Sequence, residues 1–150
     1  KVLTLAVAES CTGGLVSDML TDVPGSSEYF TLGVVSYSNQ AKTRILGVEP
    51  DVLKENGAVS KPVVRQMLSG ITKLAKTDCG IAISGVAGPS GGSTEKPVGT
   101  VFIGVQCRGE ARIERFNFDS DRRGNKVLSA YTALNMLRLM VQKGETDVID

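Results

Sequence analysis

Hydrophobic and polar positions change their period repeatedly along this chain, and each change predicts a new element. Strict alternation or a run of β-branched residues predicts a strand, and apolar residues three and four apart predict a helix. The predicted strands lie at 2–7, 29–37, 79–86, 98–106 and 112–118. The predicted helices lie at 12–20, around Lys42 and Ile45 up to Gly47, at 50–56, after Ser60, and from 119 onward.

Two of the predicted helices carry an apolar stripe that marks a core face. In the helix after Ser60 the stripe is Val64, Met67, Leu68, Ile71, Leu74 and Ala75, and in the last helix it is Val127, Tyr131, Leu134, Leu137 and Val141. Pro62 fits the first turn of the former helix, where its missing N–H costs nothing.

Strands that alternate with helices, followed by one hairpin around 108–110, predict an α/β fold. We expect a three-layer α/β/α sandwich with a mixed, mostly parallel sheet and one antiparallel hairpin. The 150 residues are enough for one core. We therefore expect a single domain over 1–150. If the native chain is longer, the extra residues would form a separate domain.

The amino-acid composition excludes several classes of function but says little about the fold. The net charge of +1 and the scattered lysines and arginines argue against nucleic acid and against an anionic membrane surface. No apolar run approaches the roughly 20 residues that cross a bilayer. Cys11, Cys79 and Cys107 are odd in number and lack C-x-x-C spacing, so we expect no disulfide framework and a reducing, cytoplasmic location. Without histidine, we expect no metal site.

The first candidate for chemistry is the turn at 8–14, Ala-Glu-Ser-Cys-Thr-Gly-Gly. A turn between a strand and a helix directs backbone N–H groups at an anion. Ser10 is either a helix N-cap or a nucleophile with oxyanion donors from Cys11 or Gly13. Cys11 is a weaker nucleophile candidate, because it has no histidine partner and small buried cysteines are common.

The second candidate is Lys42. A serine nucleophile without imidazole needs another base, and a lysine amine serves when burial lowers its pKa. The alternative is an ordinary solvated charge on a short helix. Tyr37 either joins a proton path between serine and lysine or is a core ring with a solvated hydroxyl.

Two further segments have open interpretations. The glycine-rich loop at 85–97 follows a buried strand and is either a mobile loop or a phosphate or ribose cradle with Lys96 at its far end. The acidic residues Asp119 and Asp121 suit the start of a helix. Arg122 opposes the helix dipole there, which indicates a guanidinium directed at a phosphate or carboxylate.

Taken in order, five motifs resemble the CinA C-terminal domain family, whose members include bacterial nicotinamide-nucleotide amidases. The motifs are the turn at 8–14, Asp-Val-Pro-Gly-Ser-Ser at 22–27, Val-Val-Ser-Tyr-Ser-Asn at 34–39 with Lys42, Gly-Ala-Val-Ser at 57–60, and Gly-Val-Ala-Gly-Pro at 85–89 with Glu-Lys-Pro-Val-Gly-Thr at 95–100. The resemblance spans nearly the whole chain.

The resemblance implies hydrolysis of the carboxamide of nicotinamide mononucleotide to nicotinate mononucleotide and ammonia, in pyridine-nucleotide salvage. It implies Ser10 as nucleophile, Lys42 as base and Tyr37 as assisting hydroxyl, with no cofactor or metal. The expected substrate-binding residues are Cys11, Thr12, Gly13, Gly14, Gly88 and Arg122. We also expect a nucleotide substrate, no nucleic-acid or membrane partner, and a homodimer.

Two positions depart from the family pattern around that arginine. Ser120 replaces the glycine of a Gly-Asp-Arg motif, and Lys126 stands where many relatives have arginine. A lysine lacks the bidentate grip of a guanidinium. The alternative function is therefore a non-catalytic module of a two-domain protein that binds a nucleotide or another protein.

Overall fold

The computed structural model describes residues 1–146, and positions 147–150 of the predicted polar tail lie outside this range. Five strands form β1 (Leu5–Glu9), β2 (Phe30–Val35), β3 (Cys79–Gly85), β4 (Thr100–Cys107) and β5 (Glu110–Asn117). Five helices form α1 (Leu15–Thr21), α2 (Asn39–Leu46), α3 (Pro50–Asn56), α4 (Lys61–Ala75) and α5 (Arg122–Thr146), with a 3₁₀ turn at Ser26–Glu28.

The strands form one sheet in the order β2-β1-β3-β4-β5. β1 pairs parallel with β2 and β3, and β4 pairs antiparallel with β3 and β5. Four strands therefore point the same way and β4 alone runs against them. The predicted mixed, mostly parallel sheet with an antiparallel hairpin is confirmed.

Helices cover both faces of the sheet, which confirms the three layers. One core cluster joins Val16 of α1 and Ala133 of α5 to the side chains of Val7 and Ile81. The other joins Leu46 of α2, Leu53 of α3 and several α4 residues to the opposite face. Alternation along β1 produces this division, because successive side chains point to opposite faces.

Two residues of the predicted core stripes are exposed. Leu74 is 52% exposed and Tyr131 is 62% exposed, so these two predictions are wrong. In α5 the buried positions include Ala130 and Ala133. Small side chains let a helix approach the sheet closely, and an amphipathic pattern read only from large residues misplaces such a face.

Two of the three cysteines form a disulfide that the sequence analysis did not predict. Cys79 and Cys107 lie opposite each other in the antiparallel β3–β4 register and form a disulfide, which leaves Cys11 as the free thiol. Positions 28 apart in sequence meet only because the strands pair, which spacing alone does not reveal. Within residues 1–146, no helix has the length and apolar character needed to cross a bilayer.

The topology brings the carboxyl ends of β1, β2 and β3 to one edge of the sheet. From β1 the chain passes through α1 to β2 on one side, and from β2 through α2, α3 and α4 to β3 on the other. Connections that leave in opposite directions open a crevice at this edge, where α/β folds bind ligands.

Candidate functional site

Ser10 and Lys42 meet in this crevice although 32 positions separate them in sequence. The Nζ atom of Lys42 lies 2.9 Å from Oγ of Ser10. The same nitrogen lies 2.7 Å from the carbonyl oxygen of Ser36 and 3.5 Å from that of Tyr37. The amine donates to the Ser10 hydroxyl and to both carbonyls; loss of the proton that faces Ser10 would leave a lone pair directed at that hydroxyl.

Lys42 is not the solvated charge of the alternative interpretation. Its side chain is only 1% exposed. Among residues 1–146, no carboxylate lies within ion-pair distance of its nitrogen. Burial therefore lowers the pKa of Lys42 below the ordinary 10.5, and the nearby Cys11 opposes this shift only in part. A buried amine without a counter-ion favours its neutral form.

Local pairing of β1 and β2 sets the distance between the two groups. The carbonyl of Glu9 accepts the N–H of Ser36 at 2.8 Å, just beyond the last pair of the ladder. Ser38 then caps α2 by accepting the N–H of Ala41 at 3.0 Å. The first turn of α2 places Lys42 over the end of β1.

The turn after β1 excludes the N-cap prediction for Ser10 and one of the two predicted oxyanion donors. Ser10 is not the N-cap of α1, because Gly14 occupies that position with φ 104° and no capping side chain. The N–H of Gly13 donates to the carbonyl of Ser10 at 3.0 Å, so the predicted oxyanion donor Gly13 is already engaged. The N–H groups of Thr12 and Gly14 have no acceptor within residues 1–146.

The start of α1 is also occupied and offers no anion site. One oxygen of the Glu9 carboxylate accepts the N–H of Val16 at 2.9 Å. The other accepts the N–H and the hydroxyl of Ser17 at 3.0 and 2.8 Å. The sequence analysis did not identify Glu9, since a charged residue at the end of a buried strand is the only signal that it carries.

Cys11 and Thr12 are both buried beside Ser10. Burial raises the pKa of the Cys11 thiol to about 12, and its own N–H and Lys42 oppose this only weakly. The thiol is therefore protonated at neutral pH and a poor nucleophile. The hydroxyl of Thr12 is buried without a hydrogen-bond partner among the described residues.

Tyr37 and Arg122 contact each other at the mouth of the site. The Tyr37 side chain is 63% exposed, and its hydroxyl accepts a bond from Nη2 of Arg122 at 3.3 Å. Nη1 of Arg122 donates to the carbonyl of Gly88 at 2.7 Å. The backbone carbonyl of Tyr37 contacts Lys42, and Tyr37 lines the same cavity as Ser10 and Lys42. A part for its hydroxyl in proton transfer stays a prediction.

The glycine-rich loop does not direct Lys96 at the site. Nζ of Lys96 donates to the carbonyl of Asn56 at 2.8 Å, so the predicted cradle lacks this cation. Gly88 has φ 87°, and a Cβ there would lie 2.4 Å from Cγ1 of Val98. Glycine is required at 88 by both the backbone and the packing.

Buried Asn125 on α5 fixes the other side of this loop and was missed by the sequence analysis. Its amide nitrogen donates to the carbonyls of Ala87 and Ser120 at 3.0 and 3.1 Å. Asp121 caps α5 by accepting the N–H of Gly124 at 2.7 Å, as predicted for an acidic residue there.

Two cavities adjoin at the crevice and share Ala87 and Arg122 in their linings. The smaller, of about 190 Å³, contains Ser10 and Lys42. The larger, of about 770 Å³, contains Ser120, Arg123 and Lys126. Among residues 1–146, no three Cys, Asp or Glu side chains cluster as a metal site.

Comparison with known proteins finds a family that matches most of the chain. The family model of the CinA C-terminal domain matches residues 1–141. A CinA-like protein of Thermotoga sp. (strain RQ2) is 53% identical over 135 residues, which are 90% of this chain and 33% of that protein. A CinA-like protein of Geobacter sp. (strain M21) is 50% identical over 136 residues. The chain spans about a third of the length of the curated relatives it matches.

Solved structures agree with the fold. The competence/damage inducible protein CihA from Agrobacterium tumefaciens superposes with a TM-score of 0.89 at 39% identity, covering 91% of this chain and 84% of that one. The competence damage-inducible protein A from Klebsiella pneumoniae gives 0.87 at 37% identity, with 90% and 84% covered.

Proposed function

The chain belongs to the CinA C-terminal domain family, and from that premise we propose that it is an amidohydrolase. Its proposed reaction converts nicotinamide mononucleotide and water to nicotinate mononucleotide and ammonia. The observation that supports this most is the 2.9 Å contact between the Ser10 hydroxyl and the amine of a buried Lys42 without a counter-ion.

In the acylation half, Oγ of Ser10 attacks the carboxamide carbon while its proton passes to Nζ of Lys42. The resulting oxyanion needs hydrogen-bond donors, and the unoccupied N–H groups of Thr12 and Gly14 are the candidates. The protonated Lys42 then gives its proton to the amide nitrogen. The C–N bond breaks, ammonia leaves, and the acyl group remains as an ester on Ser10.

In the deacylation half, Lys42 takes a proton from a water molecule that attacks the ester. The ester C–O bond breaks, and the proton returns to Oγ of Ser10. The product forms as the carboxylic acid, which gives its proton to ammonia or solvent and becomes the carboxylate, and the enzyme regains its starting state. The cationic pyridinium of the substrate disfavours a second positive charge nearby and so helps to keep Lys42 neutral.

The two cavities match the two ends of such a substrate. The smaller cavity would take the carboxamide and ring beside Ser10. The phosphoribosyl group would extend past Arg122 into the larger cavity, towards Arg123 and Lys126. Lys126 would contact a phosphate through single hydrogen bonds rather than a bidentate pair.

The test is ammonia release from nicotinamide mononucleotide by the purified chain, compared with Ser10→Ala and Lys42→Met. Two variants serve as matched controls. Ser60→Ala removes a buried hydroxyl that donates to the carbonyl of Gly57, and Lys96→Met removes an amine bound to a carbonyl. We expect activity in the wild type and both controls, and its loss in the two site variants. Activity that survives Ser10→Ala would refute the mechanism.

A second candidate is binding without turnover. It is favoured by the fact that the chain spans about a third of its curated relatives, whose remaining part could hold another activity. Thermal stabilisation by the nucleotide without ammonia release would support it. Homodimerisation and a cytoplasmic location are further proposals, which sedimentation and localisation of the native protein test.

A further inference from the structure

A buried carboxylate beside the nucleophile has no place in the proton transfers above. Glu9 is fully buried, and both of its oxygens accept hydrogen bonds from Val16 and Ser17 at the start of α1. Gly14 has no side chain to cap this helix. Glu9 supplies the missing acceptor from the opposite end of the turn, and so closes the segment from 9 to 17 into a loop with Ser10 inside it.

The backbone of Glu9 is also linked, through Ser36, to Lys42, the proposed base. Its carbonyl accepts the N–H of Ser36 at 2.8 Å and the Ser36 hydroxyl at 3.3 Å. The carbonyl of Ser36 in turn accepts Nζ of Lys42 at 2.7 Å. One residue is therefore linked through its side chain to the nucleophile turn and through its carbonyl to the support of the lysine.

We propose that Glu9 is a positioning residue for the Ser10–Lys42 pair, an inference that rests on the proposed function. Its carboxylate holds the turn in the shape that presents Oγ of Ser10 to the amine and leaves the N–H groups of Thr12 and Gly14 free. Glu9 does not line the small cavity, so it acts through its neighbours.

A carboxylate is needed at position 9 because the groups of Val16 and Ser17 that face it are all hydrogen-bond donors. A carboxylate offers an acceptor oxygen to each of Val16 and Ser17, whereas the amide of a glutamine offers one oxygen and one NH₂ group. In Glu9→Gln one backbone N–H would face another donor inside the protein. Such a mismatch forces the turn to shift, and a displacement of about 1 Å in a reacting group slows catalysis about 100-fold.

The experiment measures two rates in each variant: ammonia release from nicotinamide mononucleotide and labelling of Ser10 by a fluorophosphonate. For Glu9→Gln we expect kcat and the labelling rate to fall about 10- to 100-fold, with KM within about twofold because the phosphoribosyl site lies elsewhere. Ser17→Ala removes only the hydroxyl contact, so both rates should fall measurably below the wild-type rates but by less than in Glu9→Gln.

Asp78→Asn is the matched control, since Asp78 binds the N–H and hydroxyl of Thr4 at the far end of the same sheet. Its rates should equal the wild-type rates at a temperature below all melting points. Equal rates in Glu9→Gln and Asp78→Asn would overturn the proposal. If Glu9→Gln does not fold, the Ser17→Ala labelling rate decides, and a wild-type rate there refutes the positioning role of Glu9. Ser10 labelling without ammonia release would refute the proposed substrate and still test Glu9.

Discussion

Replacing Lys42 by methionine removes the proposed base while keeping a side chain of similar length in a buried site. General-base catalysis typically contributes 10²–10⁴-fold, or about 3–5 kcal/mol of the barrier. The structure indicates a loss of about 10³–10⁴-fold, in the upper part of that range. Neither the Cys11 thiol, with its pKa near 12, nor the Tyr37 hydroxyl, bound to Arg122, can replace the amine.

The assay is the rate of Ser10 labelling by a fluorophosphonate as a function of pH, which requires no assumption about the natural substrate. Only the neutral amine accepts a proton, so the wild-type rate should rise with pH until it passes the pKa of Lys42, and then level off. Because burial lowers this pKa from 10.5, the plateau begins below that pH. In Lys42→Met the labelling rate should be low and should not show this rise with pH.

Lys96→Met is the control for loss of a lysine that contacts a carbonyl, and it should keep the wild-type profile. Lys42→Arg keeps a positive charge but cannot act as a base near neutral pH. It should be as slow as Lys42→Met. A loss below about 10-fold, or an unchanged rise with pH in Lys42→Met, would refute the assignment of Lys42 as the base.

Three other changes have defined outcomes. Tyr37→Phe should raise KM and leave kcat within about threefold, since the Tyr37 hydroxyl holds Arg122 rather than the reacting pair; steady-state kinetics that show a large loss of kcat would support the proton path. Gly88→Ala should lower the free energy of unfolding by about 1–3 kcal/mol, measured by urea denaturation, because of its positive φ and its contact with Val98; an unchanged midpoint contradicts this. For Asp78, hydrogen bonds from the backbone and side chain of Thr4 lower the pKa below 3.8. Its contribution to stability is therefore full above that pH and is lost as the pH falls through the folded-state pKa. In Asp78→Asn, thermal melts should show a smaller loss of stability in acid than in the wild type. Identical pH profiles for the two proteins would contradict this role of Asp78.

Much of the fold follows from the sequence because its strands and helices have clear periods. α3 at Pro50–Asn56 has the predicted bounds, since a proline begins it and a glycine follows it. α5 was harder to read because its contact with the sheet uses Ala130 and Ala133. Its exposed Tyr131 has the spacing of a core residue but points away from the sheet.

The functional site, like the fold, could be predicted from the sequence only in part. Ser10 and Lys42 were predicted from the missing histidine and from the family motifs, and the structure places them in contact. The contacts of Glu9, and the disulfide of Cys79 with Cys107, depend on which strands pair and in which register. The spacing of residues along the chain does not show which strands pair, and a register shift of one residue would move these side chains to the other face of the sheet.

Direct titration of the Lys42 amine tests the central claim most closely. With lysine labelled at Cε, NMR of the folded protein should show one resonance that titrates below 10.5 and is missing from Lys42→Met. That result would mean that burial makes the Lys42 amine easier to deprotonate than an ordinary lysine, as a base for Ser10 requires. A Lys42 resonance that titrates at or above 10.5 would contradict the account, since the amine would then be a fixed cation.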